Sequence, residues 1–514
     1  MSKNQLILNN TLALYIRLLL TLFISLYSTR ILLENLGVND FGLYGTVAGV
    51  IALISFLQTA LSNATNRFFN IEMVKADTSY IQKIFSTSIF IHIIVALFLC
   101  LLIEFLGGWV LHSYISLPVN KLNVAIQIFH LSMISLFVLV VTIPFEAMLM
   151  AKEKFGIYAL ISVIDVILKL ILAYILIFFT HDKLLYYAIG VFLIVFLIRL
   201  AYVMYVSLNF IETKIKFIIE KDFLKKIIGF ISWDLYGNFS VVLRVHGTTL
   251  LMNNFFGLIM VASMQVSNQV ATALHSFSAS LLLAVKPQLI RSYAENDMER
   301  MNLLTFFSAK YAYYLMLIFC TPIILNIDYI LHLWLGNPPK YTETIAIFIL
   351  VTSLIGVIFN PINVLIHATG NVKKISFLTG TLILLSVPIV YFLFKLGFKY
   401  YYAYLVFFLN SILIGFLNLW IAKNLIPGFN VNKFLKVVLI NIIITSSIIV
   451  LVFSLIYKFL IFDNFLNFLM IFVLETLIAF FLIYILGVNK EHKILMKRYL
   501  KSKLKYNFKG NNND

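Results

Sequence analysis

The sequence predicts an all-α, polytopic membrane protein of about fourteen transmembrane helices. Three observations carry this prediction. Of the 514 residues, 62% are hydrophobic and 12% charged, against about 45–50% and about 25% in soluble domains. Apolar runs of about 18 residues or more recur along the whole chain, each long enough to cross a hydrocarbon core about 30 Å thick as a helix. The runs are continuous, whereas a transmembrane barrel needs segments of about ten residues with strict alternation.

Setting apolar runs against polar breaks places spans at 8–33, 41–66, 84–106, 122–150, 156–179, 184–209, 224–252, 258–285, 302–326, 341–367, 375–395, 400–422, 434–458 and 465–487. The first run contains Arg17 and lacks a small-residue cleavage site after a short apolar core. It is therefore expected to remain as a helix and not to act as a signal peptide. Cys100 and Cys320 both fall inside apolar spans, which leaves no basis for a disulfide framework or a cysteine metal site. A Walker-type phosphate loop and an HExxH zinc motif are both missing from the sequence, so no nucleotide, metal or other cofactor is expected.

The formal net charge is +17. Outside the spans, about 25 Lys and Arg fall on the side of the N-terminus and about 6 on the other, so the positive-inside rule places both termini in the cytoplasm. Basic clusters at Lys214, Lys216, Lys221, Lys225 and Lys226 and in the tail from Lys490 to Lys509 suit anionic lipid headgroups, and no nucleic-acid partner is expected. The largest outward connection, from Gly107 to Lys121, is too short for a soluble domain, so the chemistry is expected inside the bundle. The basic connector after span six divides the chain into 1–210 (spans one to six), 211–433 (spans seven to twelve), 434–488 (spans thirteen and fourteen) and a basic tail, 489–514. TRILLENLGVNDFGLYGTVAGV after span one is similar to HGTTLLMNNFFGLIMVASMQV after span seven. That points to two parallel repeats with a cavity between two lobes.

Asn10-Thr11, Tyr15-Ile16-Arg17, Ser25 to Arg30, Leu36 to Tyr44 and Ser62 to Phe68 resemble the Wzx-type O-antigen and capsule flippases of the multidrug/oligosaccharidyl-lipid/polysaccharide exporter superfamily. The specific resemblance covers residues 9 to 77. It implies a MATE-like pair of six-helix lobes with two further C-terminal helices, and alternating access for an undecaprenyl-diphosphate-linked oligosaccharide in lipopolysaccharide or capsule biosynthesis. Membrane lipids, a polysaccharide polymerase and glycosyltransferases would be the implied partners.

Ionisable groups inside a bilayer cost roughly 2.5–3.5 kcal/mol each on insertion scales, so they mark cavities or partners. Here they are Arg17, Asp165, Lys169, Arg199, Asp234, Arg244, His246, Lys310 and Glu475. A lipid diphosphate suits guanidinium forks and ammonium groups. Arg17, Arg199 and Arg244 form the expected anion set, with Arg67 and Lys286 near the cytoplasmic entrance; pairing or snorkelling is the structural alternative for each. Gln58, Asn63, Asn66, Asn238, Gln265, Asn268 and Gln269 supply amides for sugar hydroxyls or for glue between helices. Asp234 and Asp165 are candidates for H⁺ or Na⁺ coupling, although Lys169 lies four residues from Asp165 and offers a structural pair. Arg30 and Glu34 have the same spacing and are either a plain ion pair or part of an outer gate. Gly237 permits close packing or a bend. A multidrug or cation antiporter of the same superfamily shares the fold but would need carboxylates to dominate the cavity. A membrane polymerase or glycosyltransferase would need a catalytic domain or acidic metal cluster that the sequence lacks.

Overall fold

The structure is a computed structural model that describes residues 3–52, 57–58, 61–62, 65–66, 68–69, 77–113, 121–152, 154–214, 216, 220, 235–369, 372–456, 465–489 and 493. Among these the regular structure is helical throughout: α1 (Lys3–Ala52), α2 (Thr78–Ser113), α3 (Leu122–Ala151), α4 (Phe155–Ile175), α5 (Lys183–Asn209), α6 (Thr248–Phe256), α7 (Leu258–Ala294), α8 (Met298–Leu325), α9 (Ile327–Leu335), α10 (Thr342–Ala368), α11 (Val372–Lys395), α12 (Tyr401–Leu425), α13 (Asn441–Ile456) and α14 (Phe465–Leu482). Short π-helical turns occupy Leu243–Gly247, Leu435–Ile440 and Ile483–Gly487.

Among the described residues, 11 helices are long and apolar enough to cross a membrane. The sequence-based spans map onto them in order, with three exceptions. Spans one and two share the range of α1 but are two helices parted at Gly37, whose backbone leaves helical geometry (φ 76°, ψ 164°). Span seven is described only from residue 235. Span eight, within α7, is punctuated by Ser263, Gln265, Ser267, Asn268 and Gln269 and so lacks a strongly apolar run. Gly257, between α6 and α7, has nearly the same backbone conformation as Gly37 (φ 80°, ψ −176°). Each of the two similar sequence stretches therefore turns on a glycine whose positive φ other L-residues rarely adopt.

Two helix ends differ from expectation. α2 begins at Thr78, several residues before the apolar run, because its polar residues are bonded inside the protein: Gln82 donates to the carbonyl of Ile211 at 3.0 Å, and Ser86 Oγ and Thr87 Oγ1 accept the amides of Lys216 and Glu220 at 2.9 Å each. At its far end α2 continues to Ser113, which shortens the outward connection. The short helix α9 was not expected, since nine residues cannot span a bilayer. Its Ile327, Leu331 and Leu335 are buried at i, i+4 and i+8, one face of a helix.

The chain forms two compact units: Met1–Ala273 with Asp328–Ile349 and Asn371–Ile414, and Leu274–Ile327 with Leu350–Gly370 and Gly415–Asp514. In the first, α1 packs on α4 and α3 packs on α2 and α5. An aromatic core gathers Phe255, Phe256, Phe394, Tyr400 and Tyr404 around Met252 and Met260. In the second unit, α8 packs along α14. Tyr314 of α8 donates to Asn441 Oδ1 at 2.6 Å and meets Thr445 Oγ1 at 3.1 Å, while Asn441 donates to the carbonyl of Leu486 at 3.3 Å. Each such bond between buried groups contributes about 1 kcal/mol net, and together they tie the two C-terminal spans to α8. The outward faces are apolar, with Phe105, Phe178 and Leu208 all about four-fifths exposed (81%, 85% and 80%), as a bilayer solvent requires.

Candidate functional site

Four helices of the first unit bring their polar side chains together. Arg17 of α1 places its guanidinium carbon 4.9 Å from the ring centre of Tyr158, at the start of α4. The Tyr158 ring lies 6.3 Å from that of Tyr202 in α5. Arg199, one helical turn earlier, sits 5.6 Å over the Tyr202 ring and donates to Glu146 Oε2 of α3 at 2.5 Å. The order is thus Arg17, Tyr158, Tyr202, Arg199, Glu146, with two guanidinium groups against one carboxylate.

Helix register explains the convergence. Arg17 and Tyr158 meet because α1 packs along α4, while Arg199 and Tyr202 share one face of α5 through their i, i+3 spacing. Pro144 of α3 has no amide hydrogen to give, which loosens the helix two residues before Glu146. The rings hold the guanidinium planes by cation–π attraction, worth about 0.5–2 kcal/mol each. Arg17 Nε is buried and has no hydrogen-bond acceptor among the described residues. An unpaired buried donor on a cation is an anion-seeking group.

Arg244 lies elsewhere in the same unit, inside the π-helical turn Leu243–Gly247 and 5.9 Å from the Phe407 ring centre. It enters no ion pair among the described residues. Single π turns often mark functional positions because they displace one residue from the helical ladder. Here the turn contains Arg244 and His246. Gly237 lies in regular helix (235–242) and the departure from α geometry comes at the π turn; a Cβ at Gly237 would be in ordinary contact with Ser376 at 3.7 Å.

The amides divide into several environments. Gln58 lines a cavity of about 250 Å³ with Tyr44, Ser132 and Ser135 between α1, α3 and α5. Gln265 donates to the carbonyl of Phe41 at 3.3 Å, and Gln269 accepts from Thr29 at 2.8 Å, so both join α7 to α1. Asn268 is exposed and Asn238 half-buried, while Asn66 donates to Ser62 at 3.4 Å. Arg30 pairs with Glu34 at 3.0 Å and donates to the carbonyl of Leu333 at 3.4 Å; alongside, Trp334 of α9 donates to the carbonyl of Leu26 at 2.8 Å. Asp165 and Lys169 pair at 2.8 Å, and Lys286 is exposed. Arg67, Asn63 and Asp234 lie outside the described residues, as do Lys221, Lys225, Lys226 and most of the basic tail.

Beyond α5, Lys152 and Glu212 pair at 2.5 Å. Partial burial alone would raise the Glu212 carboxyl, but the hydrogen bond from Lys152 holds it below the usual carboxylate range. Glu146, Tyr158, Tyr202 and Trp334 escape the sequence analysis. Glu146 was legible as a carboxylate within span four, yet it sits close to Lys152, Glu153 and Lys154 and so resembles part of a headgroup-level cluster. The tyrosines carry no signal apart from their neighbours in space.

The MatE family model matches residues 237–392. No curated protein sequence matches the chain. Among solved structures, a lipid II flippase MurJ in an inward closed conformation superposes with a TM-score of 0.69 at 20% identity, covering 93% of this chain and 99% of that one. An inward-facing multidrug resistance MATE family transporter of the MOP superfamily gives a TM-score of 0.64 at 14% identity, covering 82% and 99%. A MOP superfamily transporter from Pyrococcus furiosus, whose binding pocket is described as having reversed polarity, gives 0.54 at 13% identity over 83% and 96%. The chain is therefore a multi-pass membrane protein with the fold shared by these flippases and transporters.

Proposed function

We propose that the chain is a flippase that carries an undecaprenyl-diphosphate-linked oligosaccharide across a bacterial inner membrane by alternating access, for O-antigen or capsule biosynthesis. The observation that carries this reading is the cationic excess at Arg17, Tyr158, Tyr202, Arg199 and Glu146, with a buried donor on Arg17 left unpaired. A diphosphate supplies the missing acceptors. The likeness to a lipid II flippase supports the same substrate class, a glycan on a lipid carrier. In this reading Arg17 and Arg199 hold the diphosphate, Arg244 offers it a separate contact along its path, Arg67 and Lys286 serve its cytoplasmic approach, and the amides of spans two and eight that are not bonded to α1 meet the sugar. Both termini face the cytoplasm, and a polymerase and glycosyltransferases act before and after transport. Coupling through H⁺ or Na⁺ at Asp234 or the Asp165–Lys169 pair belongs to the same proposal.

A second reading, transport of a cationic drug, is favoured by the MatE match over residues 237–392 and the likeness to a multidrug transporter. The two readings differ in the charge they need. Cells depleted of this protein and complemented with Arg17→Ala, Arg199→Ala or Arg244→Ala are expected to export less surface glycan than cells with Lys at the same position, because Lys keeps the charge and loses only the bidentate fork. Surface glycan per molecule of protein is the measurement. Normal export by all three Ala variants would remove the diphosphate assignment.

A further inference from the structure

The second unit holds a buried carboxyl that the arginine site does not use. Glu475 of α14 has no exposed surface. Its Oε2 accepts from Asn326 Nδ2 at 2.6 Å, and the same nitrogen donates to the carbonyl of Pro322 at 2.8 Å. Two acceptor atoms are then left over: Glu475 Oε1 and Asn326 Oδ1, neither with a donor among the described residues. They belong to the two groups that already share one hydrogen bond. A proton on Oε1 would turn one of these two buried acceptors into a donor, so that the carboxyl group meets the amide as a carboxylic acid and not as a carboxylate.

Among the described residues, the surroundings offer no cation to hold an ionised carboxylate instead. On α8 the first ionisable side chain before Asn326 is Cys320; Tyr313 and Tyr314 lie about 18–20 Å down the helix at 1.5 Å per residue and are bonded to Ser446, Asn441 and Thr445. Lys310 donates to Asn489 Oδ1 at 2.9 Å and lies about 24 Å down the helix from Asn326 at 1.5 Å per residue. α13 has no ionisable residue, and α14 has none besides Glu475; Tyr484 follows in the π-helical turn. An unpaired charge in such a place is strongly disfavoured.

We propose that Glu475 is a proton-binding site: its carboxyl keeps a proton while the end of α8 packs against α14, and yields it to water when the two helices part. Exchange of that proton between the two faces of the membrane couples a transport cycle to the pH gradient, because the carboxyl's surroundings differ between the packed and parted states. The coupling step rests on the transport reading above; the proton site itself does not.

The test uses the full chain in nanodiscs and infrared difference spectra of wild type against Glu475→Gln at neutral pH. The expected result is a carbonyl stretch of a protonated carboxylic acid in the wild type that is lost in Glu475→Gln. Asn326→Ala, which keeps the carboxyl, should retain the band and shift it as the hydrogen bond is lost. No difference band in either comparison would overturn the proposal. In proteoliposomes with an imposed pH gradient, wild-type translocation of the lipid-linked oligosaccharide should respond to the gradient and that of Glu475→Gln should not; an equal response would overturn the coupling. A wild type that moves no such lipid would count against the transport reading, while the infrared band still decides the proton site.

Discussion

Gly42→Val is expected to abolish accumulation of folded protein. A Cβ on Gly42 would lie 2.1 Å from the carbonyl oxygen of Leu258 and 2.9 Å from its carbonyl carbon, so the obstruction is backbone and not a side chain that can swing aside. α1 and α7 meet at this point with nothing between them. Extra methyl groups in a well-packed site cost about 1–3 kcal/mol where neighbours can adjust, and here they cannot without moving a helix. A loss beyond that range takes a large share of the whole stability of many domains, about 5–15 kcal/mol. Detergent-solubilised yield and the midpoint of thermal unfolding are the measurements. Gly108→Ala is the control, because a Cβ there meets nothing within 4 Å; it should behave as wild type. A Gly42→Val protein with wild-type yield and midpoint would show that α1 and α7 do not approach as closely as the structure has them.

Glu146→Ala should be the second most damaging change, and Arg199→Ala nearly as damaging. The two side chains pair at 2.5 Å and are only 29% and 17% exposed. Removing one partner from a fully buried pair costs about 3–5 kcal/mol, since the other charge is left unsolvated. With some exposure retained, about 2–3 kcal/mol is the expected loss in each single variant. Glu146→Leu combined with Arg199→Met should recover most of that stability, because neither charge then remains. Thermal unfolding of the four proteins measures the coupling. The recovered double variant should still fail to export glycan, since it has lost one of the proposed anion-binding arginines. If the double variant unfolds as readily as the sum of Glu146→Leu and Arg199→Met made singly predicts, the pair is not coupled in the folded protein.

Much of the fold can be read from the chain because lipid imposes one rule, that every spanning backbone bond close within a helix. Gly37 and Gly257 stand out in the sequence within two similar stretches, and both prove to be turns at positive φ. Gly42 falls in the stretch Leu36 to Tyr44 that carries the family resemblance, and the structure supplies the reason for glycine there. What hydropathy misses is polar structure bonded inside the protein. The start of α2, from Thr78 to Lys83, reads as loop because residues such as Gln82 look solvated, yet the partner of Gln82 lies 129 residues away in sequence. The short helix α9 is invisible to any search for spans.

The site was legible as a set of residue types and not as an arrangement. Arg17 and Arg199 are conspicuous in apolar runs, but nothing in the sequence says that Tyr158 and Tyr202 stand between them or that Glu146 neutralises one of the two. Glu475 is likewise conspicuous, whereas its pairing with Asn326 across 149 positions depends on how α14 meets α8. Gln265 and Gln269, grouped with the sugar-facing amides by composition, each have a partner on α1.

Purified protein in liposomes, offered a fluorescent undecaprenyl-diphosphate-linked oligosaccharide in one experiment and a lipophilic cationic dye in another, separates the two transport readings. The flippase reading predicts that the glycolipid becomes accessible to a glycosidase on the opposite side in a protein-dependent way, and that the dye does not cross. Ion-driven movement of the dye with the glycolipid left in its original leaflet would contradict it.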